Sequence, residues 1–88
     1  MSKITFRKKV LAVVSKIPRG EAMTYGEVAK RAGAPRAARS VGAILKTNYD
    51  PAIPCHRVIR SDGSMGGYNR GRERKVELLK KEGYPGVI

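Results

Sequence analysis

The sequence predicts a small α+β domain, mostly helical, with one short β-hairpin. Apolar residues recur at helical spacing in three stretches, from Phe6 to Ile17, from Ala37 to Leu45 and around Val76 and Leu79. Proline and glycine punctuate the chain between them, at Pro18, Gly20, Gly33, Pro35 and Pro51. Residues 58–60 and 65–68 read as two short strands around Ser61-Asp62-Gly63-Ser64, a hairpin turn. A chain of 88 residues that is 41% hydrophobic has material for one modest core, so residues 1–88 are expected to form one domain.

The first helix is expected over residues 4–16. Phe6, Val10, Leu11, Val13, Val14 and Ile17 supply its apolar positions, with Arg7, Lys8, Lys9 and Lys16 between them. Ile17-Pro18-Arg19-Gly20 ends it. Thr24-Tyr25-Gly26-Glu27 has the form of a capping box and should open a second helix that runs to about Arg31. Gly33 is its expected left-handed stop. Pro35 suits the opening turn of a third helix, which continues through Ala37, Ala38, Val41, Ile44 and Leu45 to Lys46. Two helices joined by a short glycine-containing turn read as a helix-turn-helix, and the hairpin would form a small basic wing beside it. The predicted fold is therefore a winged helix-turn-helix-like domain.

On the third helix Ala37, Ala38, Val41, Ile44 and Leu45 share the inward face. The opposite face carries Arg36, Arg39, Ser40, Ala43 and Lys46, basic at its edges and small in its middle. An ordinary solvated face would carry acids as well, and none lies between Arg31 and Lys46. Contact with nucleic acid is the better reading, since small residues let a backbone come close and flanking cations suit phosphates. Nineteen Lys plus Arg against seven Asp plus Glu leave a net charge of +12, which also points to a polyanion. No segment combines a basic face with a wide apolar one, which argues against a membrane surface. There is no apolar run of membrane-spanning length and no signal-peptide pattern. A cytoplasmic protein is expected, nucleoid-associated, or nuclear if eukaryotic.

Asn48 and Asp50-Pro51 mark a turn, and Gly66-Gly67 before Tyr68 suggests a close backbone approach. Between them lies Ile53-Pro54-Cys55-His56-Arg57-Val58, with the only cysteine and the only histidine of the chain side by side. One cysteine excludes an internal disulfide, and with no C-x-x-C it argues against a zinc site. Pro54 stiffens the loop, and a neighbouring imidazole could take the proton of the thiol. On these two residues alone, a packed thiol and a packed ring are the more economical reading. The last helix is expected over about residues 72–81. Glu82 then falls over its apolar side and at the negative end of its dipole. Either the helix frays and leaves this carboxylate in water, or a histidine or arginine partners it.

Pro54-Cys55-His56-Arg57-Val58, then Gly66-Gly67-Tyr68, Lys75, Leu78-Leu79 and Glu82, resemble the methylated-DNA–protein-cysteine methyltransferases, the O(6)-alkylguanine-DNA alkyltransferases. The resemblance continues upstream through Thr24-Tyr25-Gly26-Glu27-Val28-Ala29 and Pro35-Arg36-Ala37-Ala38-Arg39-Ser40-Val41-Gly42, and covers roughly Phe6 to Tyr84. It implies that Cys55 accepts an alkyl group from guanine in double-stranded DNA, that His56 relays its proton through a water, and that Glu82 orients that histidine. Asn48 would brace the active-site turn, although the stretch from Asn48 to Pro54 is slightly shortened. Tyr25 would push the phosphate and donate to the guanine ring. Arg39 would fill the gap left by the flipped base, within a DNA-contacting set of Tyr25, Arg36, Ala37, Arg39, Ser40, Ala43 and Lys46. Pro54, Val58, Gly66, Gly67, Tyr68 and Lys75 would form the substrate pocket. No metal or other cofactor is implied, and a monomer is expected.

Two departures from the family pattern stand out. Members usually carry a further N-terminal domain, and this chain is expected to be the DNA-binding and active-site domain alone. Arg70 also stands where a small residue is expected. Stand-alone relatives, the alkyltransferase-like proteins, bind alkylated DNA without accepting the group and have tryptophan at the position of Cys55. Direct, single-turnover dealkylation is therefore the leading expectation. A lesion sensor that recruits excision-repair proteins is the first alternative, and a winged-helix DNA-binding protein without lesion chemistry is the second.

Overall fold

The computed structural model describes residues 5–62, 66 and 68–86. Four helices, α1 (Phe6–Ser15), α2 (Tyr25–Arg31), α3 (Ala38–Lys46) and α4 (Arg72–Lys81), surround two two-residue strands, β1 (Met23–Thr24) and β2 (Val58–Ile59). A single 3-10 turn over Cys55–Arg57 leads directly into β2. The α+β class and the predominance of helix agree with the sequence-based expectation.

The first helix is shorter than expected at both ends. Thr5, in extended backbone, turns its hydroxyl onto the Lys8 N–H at 3.2 Å and so fixes the start of α1 one residue later. Ile4 lies outside the described residues. Val10, Val14 and Ile17 are buried along one stripe of the helix and its exit. They meet Val28 and Ala29 of α2, Val41 and Leu45 of α3, and Cys55 and Val58, in one cluster. The thiol is thus anchored on the main core.

The capping box at α2 is complete. The Thr24 hydroxyl accepts from Glu27 N–H at 3.1 Å, and Glu27 Oε1 accepts from Thr24 N–H at 3.3 Å. At the other end Ala34 N–H reaches Ala29 O and Gly33 N–H reaches Lys30 O, a Schellman motif around Gly33. Helix α3 begins at Ala38, three residues after the expected Pro35. Ala37 N–H bonds Ala34 O at 2.9 Å, so Pro35 and Arg36 form a turn between the helices instead of opening α3. Ala37 precedes the helix and packs against the core.

The sheet also differs from the expected hairpin. Met23 pairs with Val58 and Thr24 with Ile59, in parallel. The chain therefore brings the residue before Tyr25 alongside the segment that follows Cys55. Of the expected wing, Gly63, Ser64, Met65 and Gly67 lie outside the described residues. Gly66 and Tyr68 belong to no strand.

Helix α4 spans the predicted residues. Its end is a second Schellman motif: Tyr84 N–H bonds Leu79 O, and Gly83 N–H bonds Lys80 O with Gly83 at φ +83°. Tyr84 closes back on Leu79 in a smaller cluster with Ile59 and Val76. Glu82 is thereby fixed at the helix end and does not fray. Since the box at Thr24 also sets the entry to Tyr25, Thr24→Ala should cost about 1 kcal/mol of stability, read as a lower urea midpoint at unchanged slope.

Candidate active site

Four separate elements converge on Cys55. Its residue is buried, and its sulfur accepts a hydrogen bond from Asn48 Nδ2 at 3.1 Å. Asn48, itself buried, sits two residues beyond α3. Cys55 also forms part of the wall of a cleft of about 850 Å³. Tyr25 and Gly26 from α2, and Arg39, Gly42 and Lys46 from α3, line other parts of it, with Arg60 and Tyr68. The volume lies within the ordinary range for small-ligand sites, roughly 300–1,000 Å³. A smaller pocket of about 180 Å³ lies on another side of Cys55, lined by His56, Arg70 and Arg74 among others.

Burial pushes the Cys55 thiol above its ordinary pKa, opposed by the Asn48 hydrogen bond and by the charges of Arg70 and Lys75. The free protein therefore holds a protonated thiol near neutrality and needs a base to use it. His56 is next in sequence and buried. Its Nε2 lies 3.0 Å from Glu82 Oε2. Glu82 accepts twice more from Arg57, at 2.9 Å from Nε and 2.7 Å from Nη2. Chiefly this forked bond, and then the His56 contact, hold the Glu82 carboxyl down to about 2, against the cost of burial. An ionised carboxylate can only accept, so His56 Nε2 carries a proton and a neutral ring leaves Nδ1 as the acceptor. Arg57 also donates from Nη1 to Ile17 O at 2.8 Å, tying the whole group to the exit of α1.

Tyr25 opens α2 and is half-buried. Burial raises its hydroxyl pKa, which keeps it a proton donor. Gly66 lies against this ring: a Cβ there would come 3.2 Å from the hydroxyl and 3.3 Å from Cε2. Lys75 is fully buried on α4, donates to Val58 O, and lies 5.7 Å from the Tyr25 ring centroid. Desolvation lowers its pKa to about 8, with the nearby Cys55 opposing that shift.

The remaining sequence-predicted residues divide into two groups. Arg39 and Lys46 are exposed at the cleft, while Arg36, Ser40 and Ala43 are exposed without lining it. Tyr68 borders both pockets and stands edge-on to His56 at 6.3 Å between centroids. Pro54 caps the 3-10 turn. Val58 is buried in the core and lines neither pocket, so its side chain anchors the site from behind. Gly67 lies outside the described residues. Among the described residues no cluster of His, Cys, Asp and Glu is placed to hold a metal ion.

Sequence reasoning did not assign roles to Arg57, Arg60 or Asn69. Arg57 had a signal: a misplaced carboxylate at Glu82 required a cation. Asn69 had none, because its partners are backbone carbonyls far away in sequence. Its Nδ2 bonds Leu45 O and Lys46 O, each at 3.3 Å, and also Asn48 O. Arg70 Nη2 bonds Tyr49 O at 2.6 Å.

Because the folded pKa of Glu82 lies below its ordinary 4.5, this carboxylate stabilises the fold above that pH, and the stabilisation is lost as pH falls toward about 2. Thermal midpoints measured across this window should fall more steeply for the wild type than for Glu82→Gln. Parallel curves would mean that Glu82 is not held by Arg57 and His56 in solution.

Residues 5–84 match the model of the 6-O-methylguanine DNA methyltransferase family, DNA binding domain. A methylated-DNA–protein-cysteine methyltransferase of Methanothermobacter thermautotrophicus is 53% identical over 79 residues, covering 89% of this chain and 44% of that protein. The chain spans about half the length of the curated relatives it matches. A Mycobacterium tuberculosis OGT solved in complex with DNA superposes with a TM-score of 0.85 at 39% identity, over 98% of this chain and 54% of that one. The S. pombe Atl1 solved with damaged DNA containing O6-carboxymethylguanine gives 0.81 at 36% identity, over 94% of this chain and 80% of that one. The chain therefore belongs to the 6-O-methylguanine DNA methyltransferase family, through that family's DNA binding domain.

Proposed function

We propose that this protein repairs DNA directly, transferring the alkyl group of an O6-alkylguanine to the sulfur of Cys55. The observation that carries this reading is Cys55 in the cleft wall, with the Asn48 amide on its sulfur and Arg39 at the same cleft. In a duplex the alkylated oxygen is buried in a base pair, so the nucleotide must leave the stack, at a cost of a few kcal/mol. Arg39, on the exposed side of α3, enters the vacated space. Arg36 and Lys46 contact phosphates, and the small Ser40 and Ala43 let α3 approach the DNA closely. Under this reading, Tyr68 and Gly66 wall the alkyl group and Lys75 holds the loop behind it.

His56 takes the thiol proton through a water, and Glu82 stabilises the resulting imidazolium. The thiolate attacks the alkyl carbon in line. A carbon–sulfur bond forms as the carbon–oxygen bond breaks, and the pair of electrons leaves with the guanine oxygen. The Tyr25 hydroxyl donates to the guanine ring, and a proton returned through His56 completes the balance. The products are normal guanine and a thioether, which no group in the site can cleave. Each chain acts once.

A lesion sensor is the second reading, because the S. pombe Atl1 solved with damaged DNA is also a structural neighbour of this chain. An oligonucleotide duplex containing O6-methylguanine separates the two. Under the transfer reading it reverts to guanine at one site per chain, and Cys55→Ala retains DNA binding while losing reversion. Tight lesion binding with no reversion by the wild type would leave the sensor. Equal affinity for alkylated and normal duplex would leave a DNA-binding protein without lesion chemistry.

Arg39→Ala should slow reversion in duplex far more than it weakens binding, and should hardly alter reaction with free O6-methylguanine, which needs no flipping. Equal losses on both substrates would assign Arg39 to phosphate. Affinity for duplex should also fall steeply with salt, near −0.9 in log–log slope for each neutralised phosphate, and a flat titration would remove the electrostatic contacts.

A further inference from the structure

The chemistry proposed above gives neither Asn69 nor Arg70 a task. Both side chains project from the segment before α4 onto the segment after α3. The Asn69 amide has two hydrogens and reaches three carbonyls, those of Leu45, Lys46 and Asn48. The first two belong to the last turn of α3, and Leu45 O also accepts from Asn48 N–H at 3.2 Å. Arg70 donates to the next carbonyl along, Tyr49 O, at 2.6 Å. The backbone held at Asn48 and Tyr49 is the backbone that carries the Asn48 side chain, whose amide donates to Cys55 Sγ at 3.1 Å. Asn48 is buried, but Tyr49 and residues 50–52 after it are exposed, so the turn has little packing beyond Asn48 itself.

We propose that Asn69 and Arg70 are positioning residues that latch the turn after α3 and so hold the Asn48 amide against the Cys55 sulfur. The Asn69 amide also ties that turn to the end of α3, so the sulfur is registered on the helix that carries Arg39. This inference rests on the reading of Cys55 as the alkyl acceptor, but the latch itself is independent of alkyl transfer. The groups facing the thiol are Asn48, Tyr25 from α2, Lys75 from α4, Arg70 and Tyr68 from the segment before α4, and His56 beside it. When the latch is broken at Asn69, the sulfur loses its neutral donor while the charged groups around it remain.

The test is the rate at which iodoacetamide modifies Cys55 in the free protein, measured against pH without DNA. Asn48→Ala should move the midpoint of that profile upward. Asn69→Ala changes no charge and does not touch the sulfur through a hydrogen bond, yet it should move the midpoint the same way. In the Asn69→Ala background, Asn48→Ala should then add little. Arg70→Ala alters an exposed side chain that folding tolerates, and in its background Asn48→Ala should again add less than in the wild type. Full additivity in both backgrounds, or an unmoved midpoint in Asn69→Ala, would overturn the latch. Reversion of an O6-methylguanine duplex by the wild type is assayed in parallel. Its failure would remove the transfer reading and leave the iodoacetamide result standing on its own.

Discussion

The carboxylate of Glu82 sits at the negative end of a helix, beside an apolar cluster, and two cationic or proton-bearing side chains hold it there. Burying a charge is costly unless it is paired and hydrogen-bonded. Arg57 satisfies both oxygens in a fork, and His56 takes a remaining lone pair. Arg57 extends the constraint to Ile17 O, so the end of α4, the Cys55–Arg57 turn and the exit of α1 are fixed by one group. Removing Arg57 or Glu82 would leave a charge unpaired in a poorly solvated place. The arrangement therefore specifies geometry more than it adds stability, and the geometry it specifies is the orientation of the imidazole next to the thiol.

A second constraint acts from the opposite side. The core packs α1, α2 and α3 with Cys55 and Val58 in one cluster. Parallel pairing of β1 with β2 sets the residue before Tyr25 beside the segment after Cys55. Tyr25, Arg39 and the sulfur then border one cleft without being near in sequence. The exposed cations include Arg39 and Lys46 on the outer side of α3, while two cations inside, Arg57 and Lys75, are tied to named acceptors. Charge outside suits a polyanion, and charge inside orders the loops.

Much of this was legible in the sequence where local chemistry governs. The capping box at Thr24, the glycine after α2, the span of α4 and the need of Glu82 for a partner all follow from residue types at short spacing. What was not legible depends on backbone hydrogen bonds, most of them distant in sequence. Pro35 was expected to open α3, but the turn closed by Ala34 O claimed it. Val58 and Ile59 were expected to pair within a hairpin, much of which lies outside the described residues, and they pair with Met23 and Thr24, more than thirty residues earlier. Asn69 and Arg70 bond carbonyls, which carry no sequence signature. Val58 looked like a pocket residue from its place in the motif and is a core residue by burial.

The central claim is that this constellation makes Cys55 an alkyl acceptor. The most direct measurement is the mass of the intact protein after incubation with excess O6-methylguanine duplex, followed by peptide mapping. The account predicts a single species heavier by one methyl group, with the group on Cys55, and no further increase at any excess of DNA. An unchanged mass after prolonged incubation of a protein that binds the lesion tightly would contradict it.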